Sequence, residues 1–216
     1  MSVDTLPAGP STAERRQRIV EAALQLFSGT DYGAVQMDDV ARTAVVAKPT
    51  LYRYFPTKEA LFLEVIERLL CELQADVETV ADGDRPATEA LRGAVRHVFL
   101  ALSRCTAVIH AFDGADGQLG EKGRTAVRTR VRSIRTVVER ILARGVGSGE
   151  FRPMEVDLTA TAILGACRMS AALAPARRRS AALETLLDFM ALGVLTSASA
   201  ADRAPFPEDL TEDCNR

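Results

Sequence analysis

The sequence predicts an all-α chain with a small N-terminal helical head and a larger helical body. Three observations carry that expectation. Aromatic residues make up 5% of the chain and Trp is absent, while Ala and Leu are abundant, a balance that favours helices over sheets. Apolar residues recur at i, i+3 and i+4 along most of its length, as the buried stripe of a helix requires. Two late segments, 157–174 and 181–198, are apolar around most of their circumference, which a helix tolerates only when covered on most sides. With 47% apolar residues in 216, the chain can bury a real core.

Residues 1–10 lack periodic apolar positions and read as a flexible arm. The first helix follows, with Ile19, Ala22, Ala23, Leu26 and Phe27 on one face and Gly29 closing it. Met37, Val40, Ala41 and Ala44 then mark a short second helix, and Leu51 and Phe55, at i and i+4, mark a third beyond a tight connection. From Lys58 to about Ala81 a long helix has a broad apolar arc (Leu61, Phe62, Val65, Ile66, Leu69, Leu70, Leu73, Val77). So wide an arc suits contact with head and body at once, making this helix the expected mechanical link. DGDRP at 82–86 ends it, and the next stripe is Leu91, Val95, Val98, Phe99 and Leu102. DGADGQLG at 113–120 interrupts the pattern before a long helix from about Gly123 to Ala143. APARRRS at 174–180 reads as the loop between the two apolar segments, and 199–216 as a polar, acidic tail. The expected division is therefore an arm at 1–10, a head at 11–58, a body at 59–198 and the tail.

The third helix carries the chemistry. With Leu51 and Phe55 turned inward, its outer residues are Lys48, Thr50, Tyr52, Arg53 and Tyr54. Two cations, a hydroxyl and two phenols suit phosphate and base-edge contacts on double-stranded DNA. Lys58 opens the next helix, where free backbone N–H groups also favour anions, and Gln36 opens the second. Lys48, Thr50, Tyr52 and Tyr54 are expected on the major-groove side, with Lys58 and Gln36 on flanking phosphates. An ordinary solvated helix face is the competing reading.

Glu14 to Leu61 resembles the DNA-binding domain of the TetR family of transcriptional repressors. The resemblance rests on RQRIVEAALQLFSGTDYGAVQMDDVA and KPTLYRYFPTKEAL, including the aromatic pair Tyr52 and Phe55 and the helix start Thr57, Lys58, Glu59, Ala60, Leu61. It implies a helix-turn-helix head, a helical effector-binding and dimerisation body, and a repressor released from its operator when a small molecule moves the two heads out of register. Three positions depart from the family pattern. Val45 stands where Gly is usual in the turn, and a left-handed valine there would cost about 1–2 kcal/mol. Ala47 and Gln36 stand where hydroxyl caps are usual, each worth about 1 kcal/mol.

The resemblance also implies a homodimer built from the last two helices, and their all-round apolar character asks for the same cover; Gly165 and Leu187 are expected in that seam. Burial of both helices inside one subunit is the alternative. Expected effector-wall residues are Phe62, Phe99, Phe112 and Met169, each equally readable as plain core. His97 and His110 read as surface or packing residues, with donation to a ligand the alternative for either. Between 123 and 144 seven arginines (Arg124, Arg128, Arg130, Arg132, Arg135, Arg140, Arg144) surround an apolar stripe. Without interleaved aromatics they read as a solvated face with salt links rather than a second nucleic-acid site.

The net charge of −2 conceals an asymmetry, since 11–58 holds seven cations against five anions. A mildly basic tip on an acidic body fits a protein that meets DNA at one end. Cys71, Cys105, Cys167 and Cys214 are widely spaced, so reduced thiols are expected, with no metal and no cofactor. No charged-then-apolar leader opens the sequence and no uninterrupted apolar run reaches about 18 residues. A soluble, cytoplasmic chain without membrane association is therefore expected. No nucleophile–base spacing or phosphate-cradling loop supports an enzyme. The remaining alternative is a dimeric helical interaction protein whose DNA-reading head has weakened.

Overall fold

The computed structural model describes residues 11–29, 32–104 and 120–194. The arm at 1–10, Phe112, His110, Cys105 and the tail at 199–216 lie outside them. The described residues form helices and short 3₁₀ turns around one continuous apolar core.

Helix α1 spans Thr12–Gly29. A reciprocal capping box starts it: Ser11 N–H donates to the Glu14 carboxylate at 2.7 Å, and Glu14 N–H donates to Ser11 Oγ at 3.2 Å. A 3₁₀ turn at Tyr32–Ala34 leads to α2, Met37–Thr43, and α3, Lys48–Tyr54. Helix α4, Lys58–Ala81, is capped by Thr57, whose Oγ1 accepts from Ala60 N–H at 3.1 Å. Its wide apolar arc is buried as expected, packing on α1 at one end and on the body helices along the rest.

Helix α5 spans Ala87–Arg104. Helix α6 runs Glu121–Ser148, longer than its periodicity alone suggests. It continues because Phe151 folds back over Gly145, where a Cβ would lie 2.1 Å from the ring; the helix ends at Gly149, in the left-handed region at φ 77°. Helices α7, Val156–Leu173, and α8, Arg179–Val194, are joined by a 3₁₀ turn at Ala176–Arg178. Among the described residues α7 alone is long and apolar enough to cross a membrane, but its stripe of Ala160, Ile163, Cys167 and Ala171 is buried against the bundle. Burial pushes the Cys167 thiol up to about 12.

Of the arginines on α6, Arg130 donates to Gln74, Arg135 pairs with Glu139, Arg140 with Asp82, and Arg144 donates to the Ala81 carbonyl at 2.7 Å. Two of these four are salt links, and all four contacts lie within this chain. His97 meets Asp76 at 3.3 Å across α4 and α5.

Helix α5 takes its cap from a distant residue. Glu150 accepts from the Ala87 and Thr88 backbone N–H groups, each at 3.0 Å, and from Thr88 Oγ1 and Ser148 Oγ. The Thr88 and Ala87 N–H groups lead in holding its carboxyl at about 2. A depressed carboxyl stabilises the fold above its ordinary value of 4.5 and loses that contribution as pH falls toward 2. Glu150→Gln is therefore expected to lower the melting temperature at neutral pH, with the gap to wild type closing as both are melted at successively lower pH. A gap independent of pH would show that the carboxylate's charge is not what caps α5.

Candidate functional site

The turn between α2 and α3 is a complete Schellman motif. Val46 N–H donates to the Ala41 carbonyl at 3.0 Å and Val45 N–H to the Arg42 carbonyl at 3.2 Å, with Val45 at φ 53°. The left-handed position that normally takes glycine is thus occupied by a β-branched residue that is 80% exposed and gains no packing in return. Val45→Gly is expected to stabilise the chain by about 1 kcal/mol, the relieved strain less glycine's entropy. Urea unfolding checks it, and a lower midpoint would show that Val45 is not strained.

Neither Gln36 nor Ala47 supplies a side-chain cap, so α2 and α3 start on backbone bonds alone. What holds α3 is its inward side. Leu51 is fully buried and Phe55 nearly so. The Arg16 guanidinium from α1 covers the Phe55 ring at 5.1 Å while gripping the Glu64 carboxylate of α4 with both terminal nitrogens. That fork ties α1 and α4 to the end of α3, and it lowers the Glu64 carboxyl below its ordinary range.

Gln36, Lys48, Tyr52 and Lys58 share one polar hollow with Met37, Asp38 and Asp39. Four of the seven expected DNA-facing residues are therefore brought together. Arg53 is exposed and lies over the Tyr54 ring at 5.5 Å; Tyr54 itself packs against the core, and Thr50 is half-buried. Tyr54 thus faces less outward than the helical spacing suggests. Lys58 does not extend into solvent. Its ammonium sits 4.4 Å above the Tyr32 ring and donates to the Gly33 carbonyl at 3.2 Å, and burial pulls its pKa down. Asp38 and Asp39 were not expected on this face. Their place at the start of α2, beside Gln36, was the available signal.

A second hollow lies in the body, a cleft of about 530 Å³ between α4, α5, α6 and α7. Leu70, Leu73, Val98, Leu102, Val131, Ile134 and Leu164 line it, with Thr161 and Arg168 as polar side chains on its wall. The three expected effector residues that are described, Phe62, Phe99 and Met169, do not line it. Phe62 is fully buried between Phe27 and Tyr32, with ring centroids 4.9 and 4.7 Å away, and Phe99 is fully buried without lining the cleft. Met169 is half exposed and lines an outer groove between α7 and α8. That groove belongs to an apolar face on which Leu158, Met169, Leu173, Phe189 and Leu192 are exposed, whereas Leu187 turns into the chain's own core.

Residues 19–65 match the family model for bacterial regulatory proteins of the tetR family, and 84–172 match the tetracyclin repressor-like C-terminal domain. The transcriptional repressor KstR of Mycolicibacterium smegmatis is 30% identical over 175 residues, covering 79% of this chain and 81% of that protein. The chain belongs to the TetR family. This TetR-family chain is a DNA-binding transcriptional regulator, and the helix-turn-helix is its reading head. Solved relatives share the fold. FadR of Bacillus subtilis, in complex with stearoyl-CoA, superposes with a TM-score of 0.61 at 20% identity, covering 79% of this chain and 97% of that one. AibR, in complex with isovaleryl coenzyme A and operator DNA, gives 0.65 at 20% identity, covering 82% and 97%.

Proposed function

We propose that this regulator is a homodimeric repressor that reads a pseudo-palindromic operator through α3 and leaves it when an acyl ligand fills the body cleft. In this reading residues 11–58 are the head and 59–198 the ligand-binding and dimerising body, working in the cytoplasm. The observation that carries it is the single hollow that gathers Gln36, Lys48, Tyr52 and Lys58 around a helix anchored by Leu51 and Phe55. Arg53 on the neighbouring exposed face adds a charge for phosphate.

The ligand class follows from the cleft's walls. About 530 Å³ lined mainly by leucine, valine and isoleucine takes a hydrocarbon chain, and the Arg168 guanidinium on its wall suits a carboxylate or thioester at the polar end. The acyl-CoA complexes of FadR and AibR support that class. Dimerisation is supported by the exposed apolar face of α7 and α8, which one chain leaves in water.

The test is selection of bound duplexes from a random pool by the purified chain. An inverted repeat with half-sites about one helical turn apart is the expected product. A pool that never converges would favour the interaction-protein reading, to which the uncapped α2 and α3 and the strained Val45 lend support. Fatty acyl-CoAs of graded length, added to the complex with the selected repeat, are then expected to release it.

A further inference from the structure

A carboxylate on a surface that meets a polyanion needs a reason. Asp38 sits in the hollow with Lys48, Tyr52 and Lys58, and both its oxygens hold the Lys48 ammonium, Oδ1 at 2.8 Å and Oδ2 at 2.9 Å. The contact joins the first turn of α2 to the first residue of α3. Asp39 pairs with Arg42 at 2.9 Å, and Lys58 is drawn back onto Tyr32. The hollow therefore holds two carboxylates against two ammonium groups and offers random duplex little net charge.

We infer, on the reading that this hollow faces DNA, that Asp38 is a positioning residue for sequence specificity, restraining and aiming Lys48. An ammonium has three donors, so Lys48 can keep Asp38 and still give one to an acceptor on a base edge such as guanine O6 or N7. A phosphate oxygen taking that donor would instead sit close to the Asp38 carboxylate, whose like charge opposes it, as a neutral base edge does not. Random sequence thus gains little from Lys48, whereas a site with an acceptor in reach gains a directed hydrogen bond. Both partners are more than half exposed, so the pair costs little to rearrange and acts on choice of contact more than on folding.

The experiment compares the full-length chain with Asp38→Asn, Asp38→Glu, Lys48→Met and the double variant Asp38→Asn/Lys48→Met. Each is titrated on the selected repeat and on a random-sequence duplex across a KCl series, with melting temperatures alongside. Asp38→Asn is expected to bind random duplex about three- to fivefold tighter per head and to steepen the log–log salt slope by about one per head, so the preference for the repeat narrows. Asp38→Glu, which keeps the charge, is expected to retain wild-type preference. The double variant is expected to bind random duplex as Lys48→Met does, because the gain runs through Lys48. If the wild type prefers the repeat but Asp38→Asn changes both duplexes equally or leaves the slope unchanged, the inference is overturned and the DNA-facing reading stands. If the wild type distinguishes neither duplex, the DNA-facing reading falls and takes the inference with it.

Discussion

Phe189→Glu is expected to split the dimer and abolish tight operator binding in one step. Phe189 is 70% exposed on α8, beside Leu192 on the same helix and across the groove from Met169 and Leu173 on α7. In a single chain that side chain contributes little to folding, so the variant is expected to keep the melting behaviour of an intact monomer. In the proposed dimer it sits in a closed apolar seam, where an unpaired carboxylate is strongly unfavourable. Losing the second head removes the advantage of simultaneous engagement, a factor of about 10²–10⁴ in affinity. Sedimentation at micromolar concentration and titration on the selected repeat measure the two losses. A variant that remains dimeric would place the seam elsewhere. Leu187 would not serve for this test, because it is buried within the chain and its replacement by Glu would unfold the body.

Phe62→Ala is expected to cost about 3–5 kcal/mol of stability. The ring is fully buried and meets Phe27 of α1 and Tyr32 of the 3₁₀ turn, so its removal opens a cavity where α4 joins the head. Urea unfolding followed by circular dichroism is the measurement. An unchanged midpoint with weakened acyl-CoA release would return Phe62 to the effector wall.

Those substitutions show where the sequence was readable and where it was not. Periodicity found the inward residues of α1 to α4 because burial at i, i+3 and i+4 is a local property of the chain. It also located the two apolar helices, but it could not separate Leu187, which faces inward, from Phe189, which does not. In so apolar a helix the stripe has no edge. The polar hollow beside α3 was legible where it lies on one helix, as with Lys48 and Tyr52. It was illegible where the partner comes from another, as with Asp38. The body cleft was missed for the same reason, since its walls are drawn from four helices and its aliphatic residues look like any core. Large aromatics were expected to line it; instead Phe62 and Phe99 fill the interior completely.

Helix α4 is one continuous helix that carries Leu70 and Leu73 in the cleft wall and Lys58 at the reading head. Its first turn is held on both sides: Lys58 binds the Gly33 carbonyl, and the neighbouring Glu59 accepts from Gly120 N–H, at the start of α6, at 2.6 Å. The 12 to 15 residues between cleft and head make a lever arm of ~18–22 Å. A tilt of ~5° at the cleft would carry Lys58 through ~2 Å, and in a two-fold pair the heads could part by up to ~4 Å. Against a helical repeat of ~34 Å that is an angular phase error of ~40° around the duplex. An operator built to meet both heads at the same azimuth would then present the second head with backbone where it needs groove.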